Sequence, residues 1–487
     1  MNRNKLKPIP AALFCLLMGG TGSAMANALI QCPNDLIRDP NTLALSPLNQ
    51  EPDGVMSQSD MLGVGGTVAN FPNQNGQIGD VDFNQNGIFE TTENTTCKHL
   101  SASEGFVTMG DGYTQFTFGF GELLDETTGN GIPQSAALQA GILNARMPAS
   151  KVVLDQDQEM FLTLTNSGFV HRPDLFDSHS IHYHGFPNIS GTLDGVPELS
   201  FSINPSSSLT YYYNQIEPGT YMYHCHVEAT EHMQMGMLGN LYVHAGQDRS
   251  GYDGTLATIA PRFGGTGPTG YAYNDGDGST AYDVEIAMQI ATFDPVFHDN
   301  SRNTQPLPFA DMDDTYSMIN GRGYPDTVNP NALPAPSDDG GATFLNALYG
   351  CAATQANPTG KCRDEVQSQV ESSLVVANMG DRVLLRLSNL SVVGPKTVTL
   401  LGLDMHVMGR GAKILHTNGE TDLSLASVND ISYVTNTLDI GPGEGFDVII
   451  DTAGVTAGTY YLYTSNLNYL SNNNEDFGGV MTTIVIN

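Results

Sequence analysis

Two short histidine-rich segments carry the residues best suited to metal chemistry. They are His179–Gly185, with the sequence HSIHYHG, and His224–Met237, with the sequence HCHVEATEHMQMGM. Six of the twelve histidines of the chain lie in these segments. Imidazoles bind copper and zinc, and one thiolate with two imidazoles and a distant thioether is typical of blue copper. A closed zinc site would use only four such donors, so the pattern favours copper.

The order of the residues suggests which of them bind the first copper. Cys225 is the only thiolate in the two segments. His232 and Met237 follow it by seven and twelve residues, so a loop can fold both back onto one metal ion. His179 is selected as the upstream imidazole. Two other methionines stay open as alternative axial ligands or as core residues: Met233 and Met235.

Strand alternation predicts a second metal site behind the thiolate. Neighbouring side chains on a strand point to opposite faces, so the two histidines that flank Cys225 face away from the first copper. An electron collected at the first site would cross to the second through Cys225 and these flanking residues. The predicted ligands of the second site are His182, His184, His224 and His226. Five other histidines are expected to lie at the surface or to form hydrogen bonds: His99, His171, His244, His298 and His416.

The elements that must hold these residues are predicted to be strands. Runs of alternating apolar and polar residues begin at Tyr113 and recur to the end of the chain, which indicates half-buried strands and an all-β fold. Met160–Asn166 resembles Arg382–Asn389, and Glu217–Tyr221 resembles Thr456–Tyr460. A repeat of this length predicts two tandem β-sandwiches.

The composition of each segment and the positions of turn-forming residues divide the chain further. The predicted units are a signal peptide (1–26), a loop-rich N-terminal extension (27–107), a metal-binding sandwich (108–247), a Gly/Asp-rich linker (248–283) and a second sandwich (284–487) with an insertion (330–365).

The N-terminal segment has the layout of an export signal. A positive head precedes a short apolar stretch and small residues that end at Ala26. The apolar stretch is shorter than the ~20 residues of a spanning helix, so we expect cleavage near Ala26, secretion or periplasmic export, and no membrane span in the mature chain. The net charge of −33 repels phosphate backbones and excludes nucleic acid as a main partner.

Cysteine number fits an oxidising compartment. Six cysteines are present and one lies in the predicted signal, which leaves an odd number and gives Cys225 a separate role. Disulfides Cys32–Cys97 and Cys351–Cys362 are then predicted, although four cysteines allow three pairings.

A weaker pattern in the N-terminal extension predicts structural calcium. Asp82–Glu93 has oxygen donors at the first, third, fifth and twelfth positions and glycine at the sixth, as in calcium loops. The alternative is an Asn/Gly turn. The predicted calcium ligands are Asp82, Asn84, Asn86 and Glu93.

The two histidine-rich segments resemble the copper signatures of the multicopper oxidase family, which is built from cupredoxin domains. Shorter stretches at 194–197, 217–223, 319–322 and 441–444 are also similar, so the resemblance covers about residues 108–487. It implies two cupredoxin-like Greek-key sandwiches, a type 1 copper at the first predicted site and a type 2/type 3 cluster at the second. Asp194 and Glu228 match acidic positions that assist proton delivery to oxygen in the family; the alternative is that they are ordinary loop carboxylates.

The second sandwich departs from the family pattern. A complete type 2/type 3 cluster takes four His-x-His pairs in this family, and only two pairs are present. Thr399–Gly402 and Tyr463–Asn466 stand where others would be expected, and His406 is a single residue. The second sandwich is therefore predicted to be copper-free.

Three functions remain open at this point. The first is an oxygen-reducing oxidase whose cluster is completed in a homo-oligomer. The second is an enzyme similar to copper nitrite reductases, with one copper at the second site and a contribution from His298, His406 or His416 of a neighbour. The third is a type 1 electron-transfer protein. The predicted electron donor is a small molecule or a metal ion, with oxygen as the acceptor of the oxidase.

Overall fold

The structure, a computed structural model, describes residues 95–123, 134–156, 158–186, 190–214, 217–248, 269–303, 306–336, 366–417 and 428–487. Strands dominate these ranges, which confirms the predicted all-β class. The helices within them are short: α1 (Gln134–Ala140), α2 (Ala229–Gln234) and α3 (Pro295–Asn303). None of the helices in the described ranges is long and apolar enough to cross a membrane.

The strands of the first half are β1 (Thr95–Thr108), β2 (Thr114–Glu122), β3 (Ala149–Asp155), β4 (Glu159–Gly168), β5 (His182–Tyr183), β6 (Ser208–Asn214), β7 (Gly219–His224) and β8 (Leu238–His244). They form two four-stranded sheets with the orders β2-β1-β4-β6 and β3-β8-β7-β5. Each sheet contains one parallel pair, β1 with β4 and β3 with β8. The apolar core of this half lies in one cluster that includes Cys225 and Met237.

The strands of the second half are β9 (Gly270–Tyr271), β10 (Ala281–Tyr282), β11 (Val284–Phe293), β12 (Tyr316–Ile319), β13 (Leu333–Pro334), β14 (Gln367–Gln369), β15 (Val375–Ala377), β16 (Arg382–Asn389), β17 (Lys396–Leu401), β18 (Met405–Arg410), β19 (Lys413–Ile414), β20 (Tyr433–Thr435), β21 (Thr437–Ile440), β22 (Glu444–Asp451), β23 (Gly458–Tyr463) and β24 (Met481–Ile486). The two large sheets have the orders β12-β11-β16-β22-β18-β19, with β20 beside β18, and β15-β24-β23-β17-β21. A second apolar cluster fills the space between them.

The two halves repeat one arrangement of strands. The parallel pair β11 with β16 corresponds to β1 with β4, and the parallel pair β15 with β24 corresponds to β3 with β8. The similar sequence segments occupy equivalent places, because β4 matches β16 and β7 matches β23. This repeat explains why the same short motifs recur more than 200 residues apart.

Several predicted boundaries differ from the structure. The strand β1 lies in the first sheet although most of it was assigned to the extension 27–107, because its long apolar run pairs with β2 and β4. The end of the predicted linker forms the paired strands β9 and β10. The buried Asp275 stabilises their turn by accepting hydrogen bonds from the Gly278 and Thr280 amides at 2.9 and 2.6 Å.

Some predictions concern residues outside the described ranges. They are the signal peptide 1–26, the calcium ligands Asp82, Asn84, Asn86 and Glu93, the cysteines Cys32, Cys351 and Cys362, and the side chain of Cys97.

A buried ionic network joins the two sandwiches. Arg386 is fully buried, and its guanidinium lies 2.6 Å from Glu285 and 3.2 Å from Asp447. It also donates to Thr220 of β7 at 3.1 Å. Burial opposes ionisation of Glu285, but the charge of Arg386 outweighs it and lowers the pKa of that carboxyl to about 2. The charges therefore stabilise one another only while all are present.

Replacement of Arg386 by methionine is expected to destabilise the fold by about 3–5 kcal/mol, because it leaves the buried Asp447 without a cation and the part-buried Glu285 with only His244 at 2.9 Å. Denaturant unfolding followed by fluorescence measures this. Arg410→Met is the matched control: Arg410 is 57% exposed beside Glu444, so its loss should cost less than ~1 kcal/mol. Equal effects of the two substitutions would contradict a stabilising role of the buried network.

Candidate copper centres

The first cluster of metal-binding side chains joins three separate segments. Cys225 directly follows β7, His179 lies in an isolated bridge with Ile203, and His232 lies on α2. The Cys225 Sγ atom is 3.8 Å from Nδ1 of His179 and 3.1 Å from Nδ1 of His232. All three metal-binding side chains are fully buried. The structure therefore brings together the thiol and the two imidazoles that the spacing singled out.

Backbone hydrogen bonds bring Met237 back to this cluster. Its amide donates to the His232 carbonyl at 2.9 Å, and its carbonyl accepts from the Cys225 amide at 3.1 Å. Gly236 has a φ of +112°, and a Cβ there would lie 2.6 Å from the Thr117 hydroxyl. The turn thus needs glycine. The loop after α2 folds back as the spacing predicts, with Met237 buried and its backbone paired with that of Cys225.

Electrostatics favour a thiolate at this site. Burial opposes ionisation of Cys225, but the charge of His232 and hydrogen bonds from both histidines outweigh it and lower the pKa of the thiol to about 5. Burial also lowers the pKa of His232, yet the Cys225 charge and a hydrogen bond to Asp177 raise it well above its usual value. The two shifts describe one buried ion pair.

The donor set fits copper. Two imidazole Nδ1 atoms face one ionised sulfur in a buried pocket, and a methionine lies next to the cysteine along the backbone pairing. This combination of two nitrogens, a thiolate and a weak thioether is typical of blue copper. A structural zinc site would require a fourth strong donor in a closed tetrahedron.

In the copper-free protein, the Cys225 thiolate should be present at neutral pH and should disappear only as the pH falls through about 5. The ultraviolet absorbance of the thiolate measures this titration. In His232→Gln the imidazole charge is lost and burial dominates, so the pKa should rise to at least the ~8.5 of an unperturbed thiol. A wild-type transition near that value would contradict the ion pair.

A second cluster of imidazoles lies on the other side of the Cys225 backbone. His182 and His224 are paired across β5 and β7. The Nε2 atoms of His184 and His224 are 2.8 Å apart. The ring of His226 lies 4.9 Å from that of His182 and 5.7 Å from that of His224. The four histidines predicted for the second site therefore gather in one place.

Carbonyl groups orient three of these rings. Nδ1 lies 2.8 Å from the Asp194 carbonyl in His182, 3.2 Å from the Gly443 carbonyl in His184, and 2.7 Å from the Cys225 carbonyl in His224. Such bonds place the ring proton on Nδ1 and leave the Nε2 lone pair for a metal. The ligand atoms of these three histidines lie within 4.8 Å of one another.

Burial keeps two of the rings in the form that binds metals. It lowers the pKa of His184 and lowers the pKa of His224 to about 3. Neutral imidazole is the metal-binding form. Protons therefore compete weakly with a metal at this cluster at neutral pH.

The second sandwich approaches this cluster through one glycine. Gly443 has a φ of +76°, and a Cβ there would lie 2.9 Å from the ring of His184. Only glycine allows the backbone carbonyl to reach the imidazole at this distance.

The second sandwich supplies no histidine at the equivalent strand positions. His182 pairs with His224 in the first sandwich, and Thr399 pairs with Tyr463 at the matching place in the second. The sequence prediction of missing ligands thus has a structural counterpart.

The two predicted acidic residues lie at different clusters. The Asp194 carboxylate is 3.3 Å from Nδ1 of His182, at the second cluster. Glu228 precedes α2, and its carboxylate groups with Asp177 and the His232 ring at the first cluster.

Asp177 is a functional residue that the sequence reasoning missed. Its carboxylate lies 3.1 Å from Nε2 of His232. Burial raises the pKa of Asp177, but the hydrogen bond from His232 outweighs it and lowers that pKa. One feature of the sequence could have identified it: Asp177 lies two residues before His179, which places both side chains on the same side of an extended segment. An acidic cleft opens here, lined by Leu175, Phe176, Asp177, Glu228 and Glu231.

Six histidines lie outside the two clusters, and hydrogen bonds engage the rings of four of the five for which they were predicted, His99, His171, His244 and His298. His298 is fully buried, with its two nitrogens against the carbonyls of Phe116 and Gln234. Because the ring is fully buried within its own chain, it is not accessible to a neighbour, and the suggestion that His298 serves as a ligand for a neighbour is wrong. His406 lies 2.9 Å from the Ser432 hydroxyl.

Two cupredoxin-like sandwiches and a His–Cys–His segment between two imidazole clusters define a copper-binding β-protein. Sequence models of the multicopper oxidase family match residues 127–248 and 317–487, more than half of the chain together. The chain belongs to the multicopper oxidase family. The family and the His–Cys–His segment imply copper as the cofactor.

Known relatives are similar over limited segments. Laccase abr2 of Aspergillus fumigatus is 30% identical over 128 residues, which are 26% of this chain and 20% of that protein. Laccase 1 of Metarhizium album is 27% identical over 130 residues, 27% of this chain and 18% of that protein. The similarity thus spans about a fifth of these relatives.

Solved structures share the fold over most of the chain. The blue copper oxidase of Nitrosomonas europaea is 18% identical, with a TM-score of 0.51 over 80% of this chain and 86% of that one. The multicopper oxidase mgLAC is 17% identical, with a TM-score of 0.50 over 81% and 86%. At these identities the likeness concerns the fold alone.

Proposed function

We propose that this protein is a copper-dependent oxidoreductase that takes single electrons from a reducing donor at the first cluster and passes them to the second, where oxygen is reduced. The observation that carries the proposal is the buried His179–Cys225–His232 cluster with four imidazoles directly behind it. Copper supplies one-electron redox chemistry at such donors.

The chain itself connects the two clusters. The Cys225 carbonyl accepts a hydrogen bond from Nδ1 of His224 at 2.7 Å. The path from Sγ to the second cluster therefore runs through the covalent bonds of one residue and one hydrogen bond. Asp194 touches His182 at 3.3 Å and is proposed to hold a proton near the second cluster.

Electrons are proposed to enter through the acidic cleft beside His232. Asp177, Glu228 and Glu231 line it together with the exposed ring of Phe176. Burial raises the pKa of Glu231, which weakens its contribution to the negative charge of the cleft. Carboxylates around the opening attract positive charge, so a metal ion or a cationic small molecule fits this entrance better than an anion.

The second cluster supports a competing function. The ligand atoms of His182, His184 and His224 form a compact group of three, and Thr399 and Tyr463 stand at the equivalent place in the second sandwich. Three imidazoles suit a single copper, as the resemblance to copper nitrite reductases implies. In the oxidase, a second copy of the chain would contribute further histidines, so a homo-oligomer forms part of that proposal.

Copper counting and oxygen uptake test these functions together. The purified mature protein is loaded with copper and dialysed, and its metal content is compared with its visible spectrum. About five coppers for every two chains, which is one first-site copper on each chain and one shared three-copper cluster, with oxygen consumption on a cationic donor support the oxidase. About two per chain with nitrite reduction support the competing enzyme, and about one per chain without either activity leaves an electron-transfer protein. Absence of a visible thiolate-to-copper band would overturn all three.

Three further features remain proposals on the sequence pattern. Export with cleavage near Ala26 agrees with the positive head and small residues of the N-terminus. Disulfides Cys32–Cys97 and Cys351–Cys362 agree with export. A calcium site at Asp82–Glu93 agrees with the loop spacing.

A further inference from the structure

A helix from beyond the linker packs against the loop that carries two predicted ligands of the first cluster. This helix, α3, follows β11 of the second sandwich. Its fully buried His298 lies 2.8 Å from the Gln234 carbonyl through Nε2 and 2.5 Å from the Phe116 carbonyl through Nδ1. Burial lowers the pKa of His298, and a neutral imidazole carries one N–H. The ring therefore donates to one of these carbonyls and packs its other nitrogen against the second, which bridges the end of α2 and the strand β2.

The position of Gln234 makes this bridge relevant to the metal site. Gln234 is two residues after His232 and three before Met237. Oriented to satisfy its neighbours, its side-chain amide donates to the Thr292 carbonyl at 3.2 Å and accepts from the Asp294 amide at 2.5 Å. The ligand loop is therefore tied to the β11–α3 segment through its backbone and its side chain.

A second contact fixes the other side of α2. The Ser301 hydroxyl of α3 donates to Glu231 at 3.2 Å, and Arg172 donates to the Ser301 carbonyl at 2.5 Å. Glu231 immediately precedes His232. Contacts on both sides of the ligand leave α2 little freedom to rotate or slide.

The first cluster is sensitive to such movement. His232 Nδ1 lies 3.1 Å from the Cys225 sulfur, and the ring of Phe118 on β2 lies 6.0 Å edge-on to the His232 ring. Loss of a group that orients a ligand typically costs about 10–100-fold in metal affinity or activity, and the axial ligand tunes the potential of blue copper.

We propose that His298 is a positioning residue for the first copper site: by bridging Gln234 to Phe116 it fixes the loop that carries His232 and Met237. The second sandwich, which lacks ligands at the equivalent strand positions, thereby takes part in setting the properties of the copper in the first. This inference rests on the proposed type 1 site.

If His298 had only a structural role, its replacement would lower stability and leave the copper site unchanged, as for any other buried histidine. His99 is the matched control, because it is also fully buried and bonds through Nε2 to the Thr165 hydroxyl at 2.7 Å. Among the described residues, His99 makes no hydrogen bond or ring contact with the loop 232–237. His298→Leu and His99→Leu are made in the full chain, and both are expected to lower the unfolding midpoint.

Only His298→Leu should change the copper site. In the copper-loaded protein we expect a displaced and weaker thiolate-to-copper band, a changed copper hyperfine splitting and a shifted reduction potential. In the copper-free protein the Cys225 pKa should rise towards ~8.5 as His232 moves away. His298→Gln keeps one amide donor for a carbonyl and should partly restore all four readouts.

An unchanged band, splitting, potential and thiol pKa in His298→Leu would overturn the proposal. If that variant does not fold, His298→Gln and Ser301→Ala are compared with His99→Gln, and no spectroscopic difference among them would overturn it as well. A wild-type protein without the visible band would refute the proposed function instead, while the thiol titration would still test whether His298 positions the loop.

Discussion

Replacement of Cys225 by serine should abolish the intense thiolate-to-copper band and all electron transfer from the donor. The band arises from the copper–sulfur bond, and a hydroxyl oxygen neither ionises at neutral pH nor forms that bond. Cys225 is free and is the one cysteine whose side chain the structure describes, and its sulfur lies 3.1 and 3.8 Å from two imidazoles. The absorption spectrum of the copper-loaded variant and its reduction by the donor measure the effect.

Two methionine substitutions control this result and identify the axial ligand. Met237→Leu should leave a thiolate band but shift the reduction potential, because the weak axial ligand is lost. Met235 is equally buried, so Met235→Leu removes a thioether of the same kind and should leave both unchanged. If only Met235→Leu shifted the reduction potential, Met235 rather than Met237 would be the axial ligand. A thiolate-to-copper band of full intensity in Cys225→Ser would show that Cys225 does not bind copper.

Replacement of His184 by alanine should stop oxygen reduction while the first copper site keeps its spectrum. His184 meets His224 at 2.8 Å between Nε2 atoms and has no contact with the Cys225 sulfur among the hydrogen bonds of the described residues. Loss of a group that merely orients a ligand costs about 10–100-fold, so loss of a ligand should lower turnover by at least about 100-fold. Oxygen uptake and stopped-flow reduction of the first site separate the two effects.

His406→Ala is the matched control for this experiment. His406 lies in the second sandwich, where it bonds to Ser432, and its loss should leave oxygen uptake unchanged. Unchanged uptake in His184→Ala would show that the second cluster does not react with oxygen. Loss of the visible band in the same variant would mean that the two clusters do not fold independently.

Local patterns in the sequence were sufficient to select most of the side chains that gather in the two clusters. Successive side chains on a strand point to opposite faces, so His224 and Cys225 face different sites regardless of the rest of the chain. His232 and Met237 follow Cys225 by seven and twelve residues, which is far enough for a loop to return both to the cysteine. The structure brings these segments together, and the roles of the residues as copper ligands stay predictions.

Contacts between distant segments were not predictable in this way. Asp177 was missed because its role depends on which side of His232 faces the cleft. The strand β1 was placed largely outside the first sandwich because its partner β4 begins 64 residues later along the chain, and parallel pairing leaves no local signal.

The sequence alone determined the fold class, the repeat and the chemistry of the metal donors, since these follow from side-chain type and period. The tertiary structure decided how the second sandwich serves the first. Its Gly443 reaches His184 across 259 residues, and its His298 reaches Gln234 across 64. Such contacts depend on backbone carbonyls and on the packing of whole sheets, which no short stretch of sequence encodes.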